Sequence, residues 1–562
     1  MKVSPVGGDA GPPARPPRWP WLLLAAALAW SALIRSPLIL NAESHLDSDL
    51  AVDGITLRNA AGGHWRWHYP GTPHIGIAPV CLSMPQAWLF GVNARTLVSG
   101  GTVAHGLLML GVFLLARRGF GPVAATAALV PLTFASTGVV WLSGRITGGH
   151  LTVAAWHAAA LYGLLRCLES KRPRGCFALG LWCGLGLWLD AMFLATLAAF
   201  ACVPTFKRYT LRDARSSLGL LAIFACGLAI GVLPRFAGNR LEPYDAYQEQ
   251  FLPVTEPTLL AEHARILGLD ALPRLVAGHR LPGFQTEPPT QAILGSTRGI
   301  PLGSAPWHTA PIPNPGALAV FATAVALVGC AASMVALAVV GCFSSDRHAV
   351  VARVALAAAV LVAILFVINR NIFNSDNYRY LVYYLVAWPL GFGILMNALS
   401  QRGAGGVAVA TAAVLLTAAL ESRELASWYR GFGWIDARGR PVAVKLDDPA
   451  LRWLESHREI ESVSGDYWVV YRVDFLSGGR VAGIPFAIYP NRFPERAAAL
   501  PGGRPSHLLT KPFGATQGAA IESALRDGGR VIAQTPSGLL VEWPLAPRPR
   551  LKDPRSDTVV AP

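Results

Sequence analysis

Charge is scarce in this chain. Only 14% of its residues are Asp, Glu, Lys or Arg, against roughly 25% in a soluble domain. That shortage, beside 53% hydrophobic residues, excludes an ordinary soluble fold and points to a polytopic membrane protein. Cysteine is scarce as well. Cys167, Cys176, Cys183, Cys202, Cys226, Cys330 and Cys342 lie in or beside apolar runs, and Cys81 stands apart. They read as small apolar packing residues, without a disulfide framework or Cys-x-x-Cys metal spacing. Acids are outnumbered, leaving a net charge of +15. The basic residues sit in short loops between apolar runs. They are topology signals, and no nucleic-acid partner is expected.

What the chain has in abundance is long apolar runs. They fall near 20–40, 96–116, 121–142, 150–168, 176–189, 191–206, 216–234, 314–342, 349–369, 379–399 and 404–420. The fold class they predict is mainly α, a transmembrane bundle of about eleven helices. Arg117-Arg118, Lys171 to Arg174, Lys207-Arg208, Arg347, Arg353 and Arg402 share one predicted face with the basic N-terminus. By the positive-inside rule that face is cytoplasmic and the tail after Leu420 is outside. Residues 1–19, rich in Pro and Gly, are expected to be disordered. A cleaved signal peptide with its apolar region at Trp21–Ile34 is the less favoured reading of the first run.

The outside face gains a first loop, 41–95, and a second, 235–313. In the first, Gly76–Phe90 is apolar but short and carries Pro79 and Pro85, which suits a helix lying at the interface. Residues 421–562 lose the long apolar runs and read as a small α/β extramembrane domain. Helices are expected at 448–461 and 516–526, strands at 467–475, 480–488 and 506–509, and a hairpin at 530–534 with 538–543.

The first outside loop carries the candidate chemistry. Asp47, Asp49 and Asp53 follow the first apolar run. Asp49 and Asp53 share a helix face, and Asp47 falls where a helix N-cap would. Capping and solvation alone would explain them; a carboxylate cluster at a membrane exit is also a place for a general base. Trp65, Trp67, Tyr69 and three histidines including His74 follow. The spacing of the histidines matches no defined metal motif, and an aromatic wall for a sugar or headgroup is the favoured reading. Arg145, Arg370 and Arg379 are cations on the face that disfavours them. Each either snorkels to lipid headgroups or pairs with phosphate. Asp190, between two short apolar runs, reads as a polar residue satisfied at a helix end.

These features resemble the GT-C integral-membrane glycosyltransferases, near the protein O-mannosyltransferase and lipid A aminoarabinose transferase group. In bacterial members the first loop often reads Asp-Glu-Ala-Val-Val-Gly, and later Tyr-Gly-Gln-Pro-Tyr-Met-Gly-Thr-Leu-Glu-Ala. Here it reads Asp49-Leu-Ala-Val-Asp-Gly54, then Tyr69-Pro-Gly-Thr-Pro-His-Ile-Gly-Ile-Ala-Pro79. Asp49 falls at the family's catalytic aspartate, with Gly71, Pro73 and Gly76 in register. Leu50 and Pro79 stand where the family has acids, and Asp47 or Asp53 could compensate. Tyr378-Arg-Tyr-Leu381 is similar to the Arg-Tyr-Leu that opens a late helix, and Arg145 to an Arg after the third helix.

The resemblance implies a sugar donor on a polyprenyl phosphate and a glycan, lipid or protein acceptor. It places Asp49 and Asp47 in catalysis. Arg145, Arg379, Tyr378, Tyr380, His74, Tyr69, Trp67 and Asp53 would contact substrate. It implies no definite cofactor, a divalent cation stays open, and the plasma (inner) membrane of a bacterium is the expected site. The alternatives are a non-catalytic envelope scaffold or a transporter or flippase.

Overall fold

The computed structural model describes residues 17–170, 172–202, 214–241, 253–278, 317–344, 347–370, 372, 375–446, 449–486, 491–500, 507–510, 515–535 and 538–542. The expected disorder of residues 1–16, most of the second outside loop, the basic segment 207–212 and the last residues lie outside them.

A helix satisfies its own backbone hydrogen bonds, so apolar runs of this length become helices in lipid. Among the described residues, seven helices are long and apolar enough to cross a membrane: Trp19–Leu40, Ala94–Phe120, His150–Ser170, Leu218–Leu241, Ala317–Phe343, His348–Ile368 and Ala404–Gly431. Pro122–Thr133, Ala191–Ala201 and Tyr384–Ser400 are shorter apolar helices, and Pro173–Leu189 packs along Ala214–Leu241. Local signals set several boundaries. Asn93 and Thr96 form a reciprocal capping box at the start of Ala94–Phe120, and Gly121 (φ 94°) ends that helix.

Two expectations in the bundle are corrected. The run at 121–142 is not one helix; it breaks after Thr133 and restarts at Thr137, where the Ser136 hydroxyl caps the new helix by accepting from Val139 N. Tyr378–Leu381 does not open the late helix. It belongs to a 3-10 turn, Ser375–Leu381, and the α-helix begins at Tyr384.

The helix ends sort onto two faces. On one, Arg118 pairs with Glu169 and Phe120 lies against His348. On the other lie residues 41–93, Arg145, Asp190, Arg235 and the 3-10 turn. There Ile75 bridges to Asp190, Arg235 Nη1 donates to the Leu187 carbonyl at 2.8 Å, and Val254 N donates to the Ile368 carbonyl at 2.8 Å.

The first loop holds the helix Ser48–Ala61 (the acid helix), the short hairpin β1 (His68–Tyr69) and β2 (Thr72–Gly76), and two short helices, Ala78–Cys81 and Met84–Phe90. Trp88, Leu89 and Phe90 are 70%, 75% and 72% exposed, as a segment lying in the lipid interface would be.

The tail folds on this same face. Its strands are β3 (Ser462–Gly465), β4 (Ala482–Pro485), β5 (His507–Thr510), β6 (Arg530–Thr535) and β7 (Gly538–Glu542), in the order β4-β3-β5-β7-β6. β3 runs parallel to β4 and β5, and β7 antiparallel to β5 and β6. The helices are Pro449–Ser456, Tyr467–Leu476, Pro494–Ala498 and Ala515–Arg526.

Tyr467–Leu476 was expected as a strand and is a helix. Its β-branched and aromatic content suits either state, and both of its faces are buried, which hides the helical period. Tyr467, Tyr471 and Phe475 join the core of the first loop and the bundle. Val469, Val470 and Val473 join the core beneath the sheet. β3 was not anticipated.

That docking helix fixes the tail to the acid helix. The Phe475 ring packs so closely on Gly54 that a Cβ there would come within 2.4 Å of it. Arg472, fully buried, donates to the carbonyls of Leu46 and Glu43, each at 2.8 Å. Asp474 is buried between Arg496 and Arg58, the latter at 3.5 Å. Nearer the bundle, the Asn41 side chain pairs with the tail backbone, donating to Val442 O at 2.8 Å and accepting from Val444 N at 2.7 Å.

Candidate active site at the tail-facing end of the bundle

The acids hold the positions their spacing implies. Asp47 is the N-cap of the acid helix, its Oδ1 accepting from Leu50 N at 2.9 Å. A carboxylate there meets the free N–H groups of the first turn. Its other oxygen, Oδ2, accepts from Arg145 Nη1 at 2.5 Å, and the Arg145 guanidinium lies over the Trp141 ring at 4.6 Å. The sequence-predicted Arg145 and Asp47 are therefore direct partners.

Asp49 is half-buried one position into the helix. Its Oδ1 accepts from the Tyr467 hydroxyl at 2.7 Å, and its main-chain carbonyl accepts from the Tyr69 hydroxyl at 3.0 Å. Asp53 is buried on the inner side of the same helix, and Asp53 and Asp49 both act on Tyr69. Burial, then these carboxylates, push the Tyr69 phenol well above its ordinary range.

Arg492, 7% exposed, holds this corner together. It donates through Nη1 to Thr72 Oγ1 at 2.6 Å and to Pro70 O at 3.0 Å, and through Nε to the Tyr467 hydroxyl at 3.3 Å. Gly71 (φ 66°) makes room for it, since a Cβ would lie 2.9 Å from Nη1. The left-handed backbone and the contact both call for glycine.

A row of basic side chains continues from here. His74 is half-buried; burial, followed by Arg235, Arg492 and His68, pushes its imidazole down to about 4. It is neutral at pH 7. His74 and Arg379 both lie close enough to act on His150. The His150 ring meets Tyr380 edge-on at 5.4 Å, and the Arg379 guanidinium sits over Tyr380 at 5.4 Å. His74 thus links the acid corner to the Arg379 corner.

Two sequence-predicted residues stand apart. Tyr378 turns into the bundle: it is 2% exposed, donates its hydroxyl to Gly138 O at 3.0 Å and lies under Arg274. It anchors the 3-10 turn. Trp67 is exposed, and its carbonyl accepts from Trp188 Nε1 at 2.9 Å. Asp190 is a satisfied helix-end residue, accepting from Met192 N at 2.7 Å.

Tyr467 and Arg492 were missed from sequence. They lie more than 400 positions from Asp49 (|i−j| of 418 for Tyr467), and neither sits in a recognisable motif. His150 and Arg235 were not singled out from sequence either. Among the described residues no group of three His, Cys, Asp or Glu side chains could hold a metal ion. The divalent cation left open above therefore has no ready ligand set there.

Residues 86–231 match a family model described as dolichyl-phosphate-mannose-protein mannosyltransferase. That match begins past the acid helix. The chain is similar in structure to ArnT from Cupriavidus metallidurans, crystallised bound to undecaprenyl phosphate. The identity is 15%, the alignment covers 93% of this chain and 97% of that chain, and the TM-score is 0.54. It is also similar to the archaeal oligosaccharyltransferase AglB from Archaeoglobus fulgidus, in complex with an inhibitory peptide and a dolichol-phosphate. There the identity is 13%, coverage 88% of this chain and 69% of that chain, and the TM-score 0.46. No curated protein matches the sequence.

Proposed function

We propose that this chain, which has the fold of the GT-C membrane glycosyltransferases, moves a sugar from a polyprenyl-phosphate donor to an acceptor hydroxyl. The reaction would take place on the outer face of the membrane. The observation that carries this reading is the grouping of Asp49 with the Asp47–Arg145 pair at one end of the bundle, beside the row His74, His150 and Arg379. A base and a set of cations must flank one anomeric carbon for this chemistry. The bound lipid phosphate in ArnT supports the donor class.

Asp49 is the base. As the acceptor oxygen bonds to the anomeric carbon, its proton passes to Asp49 Oδ2. The bond from that carbon to the phosphate oxygen breaks, and its electron pair leaves with the polyprenyl phosphate. A single displacement inverts the anomeric centre. Arg379 is the guanidinium proposed to meet the leaving phosphate, with His74 as a neutral donor and the His150 ring beside it. Arg145 is tied to Asp47 and acts through it, keeping the start of the acid helix in place. Tyr380, half-buried, gives the sugar or lipid headgroup aromatic surface; the buried Tyr69, Asp53 and Tyr378 support the walls, and Trp67 lies outside them.

The test is transfer of labelled sugar from a panel of undecaprenyl-phosphate donors by the full chain in nanodiscs. Inverted product, lost in Asp49→Asn, supports the reading. Failure of the wild type with every donor, while undecaprenyl phosphate still binds, favours the non-catalytic scaffold.

A further inference from the structure

The tail domain touches the acid helix at its most consequential side chain. Tyr467, 4% exposed, opens the docking helix and donates a hydrogen bond from its hydroxyl to Asp49 Oδ1. Among the described residues nothing donates to Oδ2 of the same carboxylate. The Tyr467 hydroxyl also receives the Arg492 Nε contact at 3.3 Å. Arg492 is in turn fixed by Thr72 and Pro70 on one side, and on the other its main-chain N donates to the Tyr471 hydroxyl at 2.6 Å. The Tyr467 and Tyr471 rings meet edge-on at 5.3 Å. A chain of buried polar contacts therefore runs from the tail, through Arg492 and Tyr467, to one oxygen of Asp49.

We propose that the tail domain is part of the catalytic site, with Tyr467 a positioning residue that holds Asp49 Oδ1 and presents Oδ2 to the acceptor hydroxyl, and Arg492 the residue that fixes Tyr467. This rests on the reading of Asp49 as the base. A carboxylate on a helix turns about two side-chain bonds, and a base gains only if it points at the proton it takes. Tyr467 removes that freedom. Burial holds its phenol protonated, well above the ordinary tyrosine range, so it donates to Asp49 at every pH at which the enzyme would work. The ionisable groups around the pair are Asp47 and Asp53 on the acid helix, Arg145 against Asp47, Tyr69 from β1, and Tyr471 and Arg492 from the tail. Asp49 is the group in this set that takes Tyr467 as a hydrogen-bond donor. The proposal gives the tail a role beyond covering the site: without it the base is present but loosely aimed.

The experiment uses the full chain in nanodiscs, with labelled hexosyl or pentosyl undecaprenyl phosphate as donor. A hydrogen bond to a charged group corresponds to roughly 10- to 100-fold in rate, so Tyr467→Phe should lower kcat by about that much while KM for the donor stays put. A purely structural role for Tyr467 would instead raise KM for the donor along with the loss in kcat. Arg492→Lys should show the same kcat-only loss in weaker form. The contact is also read without activity, by thermal unfolding of Asp49→Ala, Tyr467→Phe and the double variant. Non-additive shifts support the bond; additive shifts overturn it. Normal kcat in Tyr467→Phe, with Asp49→Asn inactive, would overturn the positioning role and leave the base reading intact. Full transfer by Asp49→Asn would overturn both.

Discussion

Asp49 and Asp47 are two positions apart and do different work. Asp47 has both oxygens engaged, one by the helix start and one by Arg145. Asp49 has Oδ1 engaged by Tyr467. If Oδ2 takes the proton, Asp49→Asn keeps the shape and loses the base. Transfer should fall by about 10²- to 10⁴-fold while undecaprenyl phosphate binding, measured by scintillation proximity, is unchanged. Asp47→Ala should instead cost about 1 kcal/mol from the lost cap, plus whatever leaving Arg145 unpaired adds, and should show first in the melting temperature. A second residue-scale expectation concerns pH. Burial pushes His45 down to about 4, with the Leu38 carbonyl opposing. Its folded value lies below the ordinary 6.5, so the unfolded chain binds the proton more readily. The stability this imidazole contributes is complete above about pH 6.5 and is lost as pH falls through about 4. His74 follows the same sign. Melting curves of the full chain should fall across that window, and His45→Gln should show a shallower fall than wild type. An equal slope would remove His45 from the account.

At the scale of elements, the acid helix is shared between two bodies. One side packs on the bundle and the other receives the docking helix of the tail, with Phe475 against Gly54. Gly54→Val should therefore drive the two helices apart. Overpacking of this kind costs about 1–3 kcal/mol. The expected result is faster proteolytic release of the tail and loss of transfer, with Asp49 itself untouched; a tail as protected as in wild type would show that Phe475 has room to move. The acid helix was legible from sequence because its signals are local: a cap at Asp47, then acids four apart. The docking helix was not. Tyr467, Tyr471 and Phe475 face the first loop while Val469, Val470 and Val473 face the sheet. A helix buried on both sides shows no amphipathic stripe, and its β-branched residues then argue for a strand. Tyr378 misled for a related reason. The family resemblance of Tyr378-Arg-Tyr-Leu381 implied a substrate contact, but a 3-10 turn sends neighbouring side chains in different directions, and Tyr378 went into the bundle.

For the whole molecule, the apolar runs announced the bundle because lipid allows few other structures for them. The spatial partner of Asp49 could not be read the same way, since it depends on how a tail hundreds of residues later folds back. The structure places that tail and the first loop on one face of the bundle, through Asn41 with Val442 and Val444 and through Arg472 with Glu43 and Leu46. The helices Tyr384–Ser400 and Ala404–Gly431 run down and back, so Gly403 lies at the opposite end. The short loops at that end are basic: Arg117, Arg118, Arg166, Arg353 and Arg402 all sit near it. Moving such residues across a membrane is disfavoured, so this end should be cytoplasmic and the site should open outward. Alkaline phosphatase fused after Pro441 should be active and fused after Gly403 inactive, with a cytoplasmic reporter giving the reverse. The opposite pattern would invert the bundle and put Asp49 on the cytoplasmic side, where a different donor pool would have to supply the sugar.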